Sequence, residues 1–257
     1  MQYKTIKEAR AMPGTRLILT AGVPGPWGES AKAIFRLRAV DYVPVAQEIG
    51  GANEEQVAWT GIRNAPVVVH NEEKPRSGWA EILFLAERLG SGPSLLPADP
   101  LERALMFGIS HELAGENGLG WTRRLMIVAG PIEEGPSSPA YGFAKFFGDN
   151  YGYTPEAGRA TERRCVDILT MLSTQLARQR AAGRRYLVGD ALSAADIYWA
   201  TFANLLDPLP DEKCPMSPEI RAMYGSSPPS VRSAASAELL AHRDFVCETA
   251  VGLPFVS

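Results

Sequence analysis

Residues 189–202 read GDALSAADIYWATF. Ser193 stands three residues ahead of Asp196 at the head of an apolar run, which is the signature of a capping box. The serine is placed to cap free N–H groups of the next helix, and the acid to reach back to the cap residue's own N–H. Alone, the pattern starts a helix and contributes on the order of 1 kcal/mol. Its surroundings give it more meaning. Upstream, residues 154–183 predict one long amphipathic helix with Cys165, Ile168, Leu169, Leu172 and Leu176 on a single face. Residues 101–130 also read as helical, but the stretch GENGLGW (115–121) places three glycines where a helix break or a close backbone approach is expected. PIEEGPSSP (131–139) is expected to form a loop, and residues 207–230 a loop-rich, proline-containing tail.

The first third of the chain has a different texture. TRLILT (15–20) reads as a strand, ESAKAIFRLRA (29–39) as a helix, DYVPVAQ (41–47) as a second strand and NEEQVAWTGI (53–62) as a short helix. APVVVH (65–70) follows as a buried strand opened by Pro66. SGWAEILFLAERLG (77–90) then reads as a helix capped by Ser77 and stopped by Gly90. Alternating strands and helices predict a small sheet with helices on its faces. Strand signals nearly vanish after SGPSLLPADP, so the expected organisation is an α/β domain at 1–90, a linker at 91–99 and an all-helical domain at 100–257.

Composition excludes several function classes. A formal net charge of -3 provides no basic footprint for nucleic acid, and the longest apolar runs are too short to span a bilayer. The N-terminus has no signal-peptide apolar core, so a cytoplasmic protein is expected. Cys165, Cys214 and Cys247 are far apart, form no CxxC pair and read as free thiols. His111-Glu112 with Glu116 lacks the second histidine that a helical zinc site requires, because position 115 is glycine; no metal is expected.

With its β-α-β-α-β front half and helical back half, and with G-D-x-L-S-x-A-D-I inside the latter, the chain resembles the glutathione S-transferase family over almost its whole length. The resemblance implies a fold of α/β plus all-α type, in which a thioredoxin-like N-terminal domain precedes a glutathione-transferase-type helical bundle. It implies glutathione as cosubstrate, an electrophilic second substrate and a homodimer. In that family a cis-proline opens the third strand, and NAPVVV puts Pro66 there, so Ala65 is expected to pair its backbone with the cysteinyl part of the tripeptide. The serine that holds the γ-glutamyl carboxylate at a helix start corresponds to Ser77. Arg76 stands where the family usually has an acid or amide; it either clamps a carboxylate or sits in solvent.

The loop VPGPWGES (23–30) departs furthest from the family. Where thioredoxin-like proteins carry C-P-x-C, and many transferases S-P-x-C or S-P-x-S, this chain has Gly25-Pro26-Trp27-Gly28, with no thiol for disulfide exchange. Ala21 occupies the place of the tyrosine-type phenol. A transferase need only stabilise the substrate's thiolate, so the backbone of Trp27 and Gly28 and the hydroxyls of Thr20 and Ser30 are the candidates for that task. Trp27 is read as a pocket wall. By the same resemblance the first long helix of the C-terminal half lines the electrophile pocket, making His111, Glu112, Glu116, Trp121 and Arg124 candidate contacts. Two readings stay open: a glutathione transferase acting on an unidentified electrophile, or a non-catalytic binding or structural protein that kept the fold and lost the chemistry.

Overall fold

A computed structural model describes residues 1–256. The chain opens with a short helix, α1 (Ile6–Arg10), capped by Thr5 and Glu8, followed by β1 (Thr15–Thr20), α2 (Pro26–Leu37), β2 (Val43–Gln47), α3 (Glu54–Thr60), β3 (Val67–His70) and α4 (Trp79–Leu89). The three strands form one sheet in the order β2-β1-β3, with β1 parallel to β2 and antiparallel to β3. The parallel pair requires the crossover that α2 supplies. Because β1 is central and covered on both faces, TRLILT is a continuous buried run rather than an alternating one. Beyond β3 the sheet adds only one residue: Arg76 exchanges two backbone hydrogen bonds with Val68, at 2.8 and 2.9 Å.

The second half is helical: α5 (Pro100–Ala114), α6 (Leu119–Glu134), α7 (Tyr141–Tyr151), α8 (Pro155–Ala181), α9 (Ala194–Phe202), α10 (Pro218–Gly225), α11 (Pro229–Ala234) and α12 (Ala237–Val246). The long amphipathic helix is α8, and it buries the five predicted side chains. GENGLGW is the predicted break: α5 stops at Ala114, Asn117 takes a positive φ and α6 begins at Leu119. The structure differs from or adds to the sequence reading at three places. PIEEGPSSP is not all loop, since α6 runs through Pro131 to Glu134. The stretch 141–151, to which the periodicity assigned nothing, is a helix. The tail 207–230 contains α10, started by Ser217 and Pro218.

The opening motif lies at the centre of the helical half. Asp196 and Ser193 are buried, and the Asp196 carboxylate accepts from the Ser193 N–H (3.0 Å) and hydroxyl (2.9 Å) with one oxygen. Its other oxygen accepts from the Leu187 N–H (2.8 Å) and bonds His242 Nε2 at 2.8 Å. One side chain therefore ties the start of α9 to the loop before it and to α12. The next residues on α9 reach both ways: Trp199 donates its indole N–H to the Leu239 carbonyl, and the Tyr198 hydroxyl donates to the Trp79 carbonyl at the start of α4. Residues 91–99 contain no helix or strand but are fixed all the same. Leu95 is buried and its carbonyl accepts from Ala194, while Arg38 donates to the carbonyls of Gly90 and Gly92. Gly92 lies so near the Leu37 carbonyl that a Cβ there would be 2.1 Å from its oxygen.

Candidate functional site

The end of β1, the start of α2 and the loop before β3 converge on a cavity of about 440 Å³, closed on its other side by α6, α7 and α10. This lies within the 300–1,000 Å³ common for small-ligand pockets. The α2 terminus at its mouth is built for close backbone approach. Gly25 is the N-cap and offers no side chain, Pro26 has no N–H, and the first helical bond runs from Glu29 to Gly25. The N–H groups of Trp27 and Gly28 therefore have no acceptor among the described residues. Opposite them, Ala65 and Pro66 line the cavity, and the peptide bond between them is cis. Thr20 also lines it, donating its hydroxyl to Gln47 Oε1 at 2.8 Å.

Trp27 is more than a wall. Its indole N–H donates to the Ala114 carbonyl at the end of α5 (2.9 Å), and its ring meets Phe202 of α9 edge-on at 4.7 Å. Gly120 lets the ring seat: a Cβ there would come within 2.6 Å of it. The α2 loop is thus held by the helical half of the chain, and the site cannot form without both.

The other sequence candidates disperse. Ser30, proposed beside the thiol, is buried and turned away from the cavity; its hydroxyl bonds the Pro26 carbonyl at 2.7 Å and the Thr201 hydroxyl at 2.6 Å. It therefore acts as a contact between α2 and α9. Arg76 does not reach the cavity either. Its guanidinium pairs with Glu73 at 2.7 Å, and Glu73 also binds Arg88, so the two arginines hold that carboxyl down to about 2. Ser77 is exposed and precedes α4 by two residues. The cap is Gly78, whose N–H is taken by Glu81, so the serine hydroxyl stays out of the helix start. Ser77 borders a small recess separated from the main cavity by Trp27 and Pro66, which line both.

Of the α5 and α6 candidates, His111 is exposed near Trp79 and Glu112 pairs with Arg164 at 2.6 Å. Glu116 is exposed, and Trp121 is not part of the lining but meets Tyr151 edge-on at 5.0 Å. Only Arg124 reaches the cavity, because it lies one helical turn on from Gly120, on the face of α6 turned to Trp27. Sequence reasoning missed the far wall altogether. Phe143, Phe146, Phe147 and Tyr151 of α7 line it, and Arg63 reaches across from the loop before β3 to donate to Asn150 at 2.5 Å. The aromatic spacing of YGFAKFFGDNY was the available signal, since positions 143, 147 and 151 recur at helical intervals.

The electrostatics of the lining are uneven. Glu29 and Lys32 pair at 2.7 Å, and burial pushes the Glu29 carboxyl up, partly offset by the lysine. Burial pushes the Tyr224 phenol up to about 12 despite the nearby Arg124, so it remains a neutral donor at ordinary pH. No cluster of metal-ligating side chains occurs among the described residues, and no helix is long and apolar enough to cross a membrane.

No family model matches the sequence, and no curated protein is significantly similar to it. The structure does have counterparts. It superposes on a glutathione S-transferase domain-containing protein from Marinobacter aquaeolei with a TM-score of 0.61, at 16% identity, covering 92% of this chain and 100% of the other. The Tau class glutathione S-transferase of mango, Mangifera indica, is similar at a TM-score of 0.53 and 19% identity, over 91% and 97% of the two chains. A maleylacetoacetate isomerase from Methylobacterium extorquens, solved with bound malonate and GSH, is similar at 0.53 and 16%, over 90% and 96%. The chain has the glutathione S-transferase fold, a thioredoxin-like unit followed by a helical bundle.

Proposed function

We propose that this protein binds glutathione and transfers it to an electrophile held in the same cavity. The observation that carries the reading is the mouth of that cavity, which Trp27 and Gly28, whose N–H groups have no acceptor among the described residues, line together with Ala65. A tripeptide pairing its cysteinyl backbone with Ala65 would bring its sulfur to the start of α2. There two free donors and the helix dipole favour thiolate over thiol. Thr20 is the aliphatic hydroxyl of the lining and is the side chain we assign to assist. Its proton is committed to Gln47, so its part is to relay polarity through that bond rather than to remove a proton. Ser77, exposed ahead of α4 on the other side of Pro66 and Trp27, is the residue that the family resemblance assigns to the γ-glutamyl carboxylate. Three free, buried cysteines fit a reducing compartment and so the cytoplasm. The exposed Phe84, Leu101 and Leu105 of α4 and α5 offer an apolar face for a homodimer.

One observation favours a second reading, binding without turnover: no thiol or unengaged hydroxyl stands at the start of α2, since Ser30 is bonded between helices. Calorimetric titration with glutathione, on the wild type and on Ser77→Ala, tests the binding, and a panel of electrophiles then separates the two readings. Binding that weakens in the variant with conjugate appearing in the assay supports the transferase. Binding without conjugate supports the second reading, and no binding at millimolar glutathione refutes both.

A further inference from the structure

Within the cavity Lys32 is paired with Glu29, whereas the arginines Arg63 and Arg124 have no carboxylate within 4.0 Å among the described residues. Arg63 has Asn150 as an acceptor and lies over the Phe146 ring at 4.9 Å. The Arg124 guanidinium carbon lies 4.5 Å from the centroid of Trp27 and 4.2 Å from that of Tyr151. The charged and polar groups facing it are the phenols of Tyr151 and Tyr224. Burial pulls the guanidinium below its ordinary value, yet an arginine starts so high that it stays charged. A half-buried cation with no anion carries a desolvation cost, and two aromatic faces offset that cost only in part. What they do provide is a fixed position, with N–H donors left over for a ligand.

The surroundings define the rest of that ligand. Phe143, Phe147, Met223 and Ile127 line the same cavity and offer apolar, largely aromatic surface. We infer that the second substrate is a hydrophobic, aromatic-bodied carboxylate, its carboxylate held by Arg124 and its body packed against the α7 rings. The inference rests on the two-substrate reading above for its role, but the carboxylate site is measurable without any thiol. It also accounts for the location of the arginine: Trp27 joins the start of α2 to Arg124, so a carboxylate bound there keeps the aromatic body next to the thiol position.

The test compares 2-naphthoate with its neutral counterpart 2-naphthamide by calorimetry, using the full chain without glutathione, then repeats both on Arg124→Met and Arg63→Met. A charge-assisted contact predicts that the wild type binds the carboxylate at least about tenfold more tightly than the amide. Arg124→Met should erase that preference while leaving amide binding, and Arg63→Met should preserve it. Equal binding of acid and amide by the wild type overturns the inference, and needs no variant to fold. Loss of the preference in Arg63→Met with its retention in Arg124→Met overturns it too, because the anion then sits at the other arginine. A wild-type protein that prefers naphthoate through Arg124 but ignores glutathione would keep this site and refute the transferase reading, so the two fail separately.

Discussion

Removing the Asp196 carboxylate should cost more than any other single polar substitution in the helical half. Asp196 is fully buried and accepts from the Leu187 N–H, the Ser193 N–H, the Ser193 hydroxyl and His242 Nε2, all between 2.8 and 3.0 Å. In Asp196→Ala the serine hydroxyl can rotate and the imidazole can change tautomer, but the two backbone N–H groups have no other acceptor. Each stranded donor costs about 1–3 kcal/mol, so roughly 4 kcal/mol is expected. For a chain of this length that is a fall in Tm of about 8–16 °C. Ser193→Ala removes only the hydroxyl contact and should cost about 1 kcal/mol, or about 2–4 °C. Asp196→Asn keeps one acceptor oxygen and should fall between them. Thermal unfolding followed by far-UV circular dichroism reads all three. If Asp196→Ala melts within a few degrees of the wild type, or no lower than Ser193→Ala, the carboxylate is not the acceptor that organises this half of the molecule.

Three further outcomes are expected. Burial pushes the thiols of Cys165 and Cys247 up to about 12 and that of Cys214 up to about 11, so the native protein should leave Ellman's reagent unreacted at about pH 8 and titrate three thiols once unfolded. Rapid labelling of any of them in the native state contradicts their burial. At Gly120 a Cβ would lie 2.4 Å from Phe202 and 2.6 Å from Trp27, so Gly120→Ala should destabilise by about 1–3 kcal/mol and change the tryptophan emission as the cavity wall moves; an unchanged spectrum and Tm would show that the ring has room. Burial raises the Glu29 carboxyl above its ordinary 4.5. A raised folded value gives a contribution that is complete below the unfolded pKa and lost as pH rises through the folded one. The stability of the wild type relative to Glu29→Gln should therefore decline as pH rises above the ordinary carboxylate range, and a flat difference in urea midpoints would contradict the upward shift.

The alternation of strands and helices, the long amphipathic helix and the helix start at Ser193 were all legible in the sequence, because each depends on a local pattern. TRLILT, the face of α8 and the Ser193–Asp196 pair carry their roles within a few residues of themselves. The break at GENGLGW was legible for a related reason, since glycine frees the backbone in place, whereas the cis position at Pro66 followed from the family resemblance and not from the residues around it. Ser30 and Arg76 show where that kind of reasoning ends. Both stand where the sequence placed them along the chain, yet Ser30 faces Thr201, which is 171 residues away, and Arg76 is captured by Glu73.

The cavity belongs to the same category. Its floor is the local start of α2, but its far wall comes from α7, whose aromatic residues signal only that something apolar will be covered. Whether those rings pack into a core or face a ligand is decided by how α6 carries Arg124 to Trp27 and how Arg63 crosses to Asn150. Periodicity fixes which face of a helix is apolar. It says nothing of what that face meets, because helix packing is set by side-chain contacts between segments far apart in the chain. The sequence alone therefore determined the scaffold and the backbone-lined mouth of the site, and the tertiary structure alone decided which charge lies inside it.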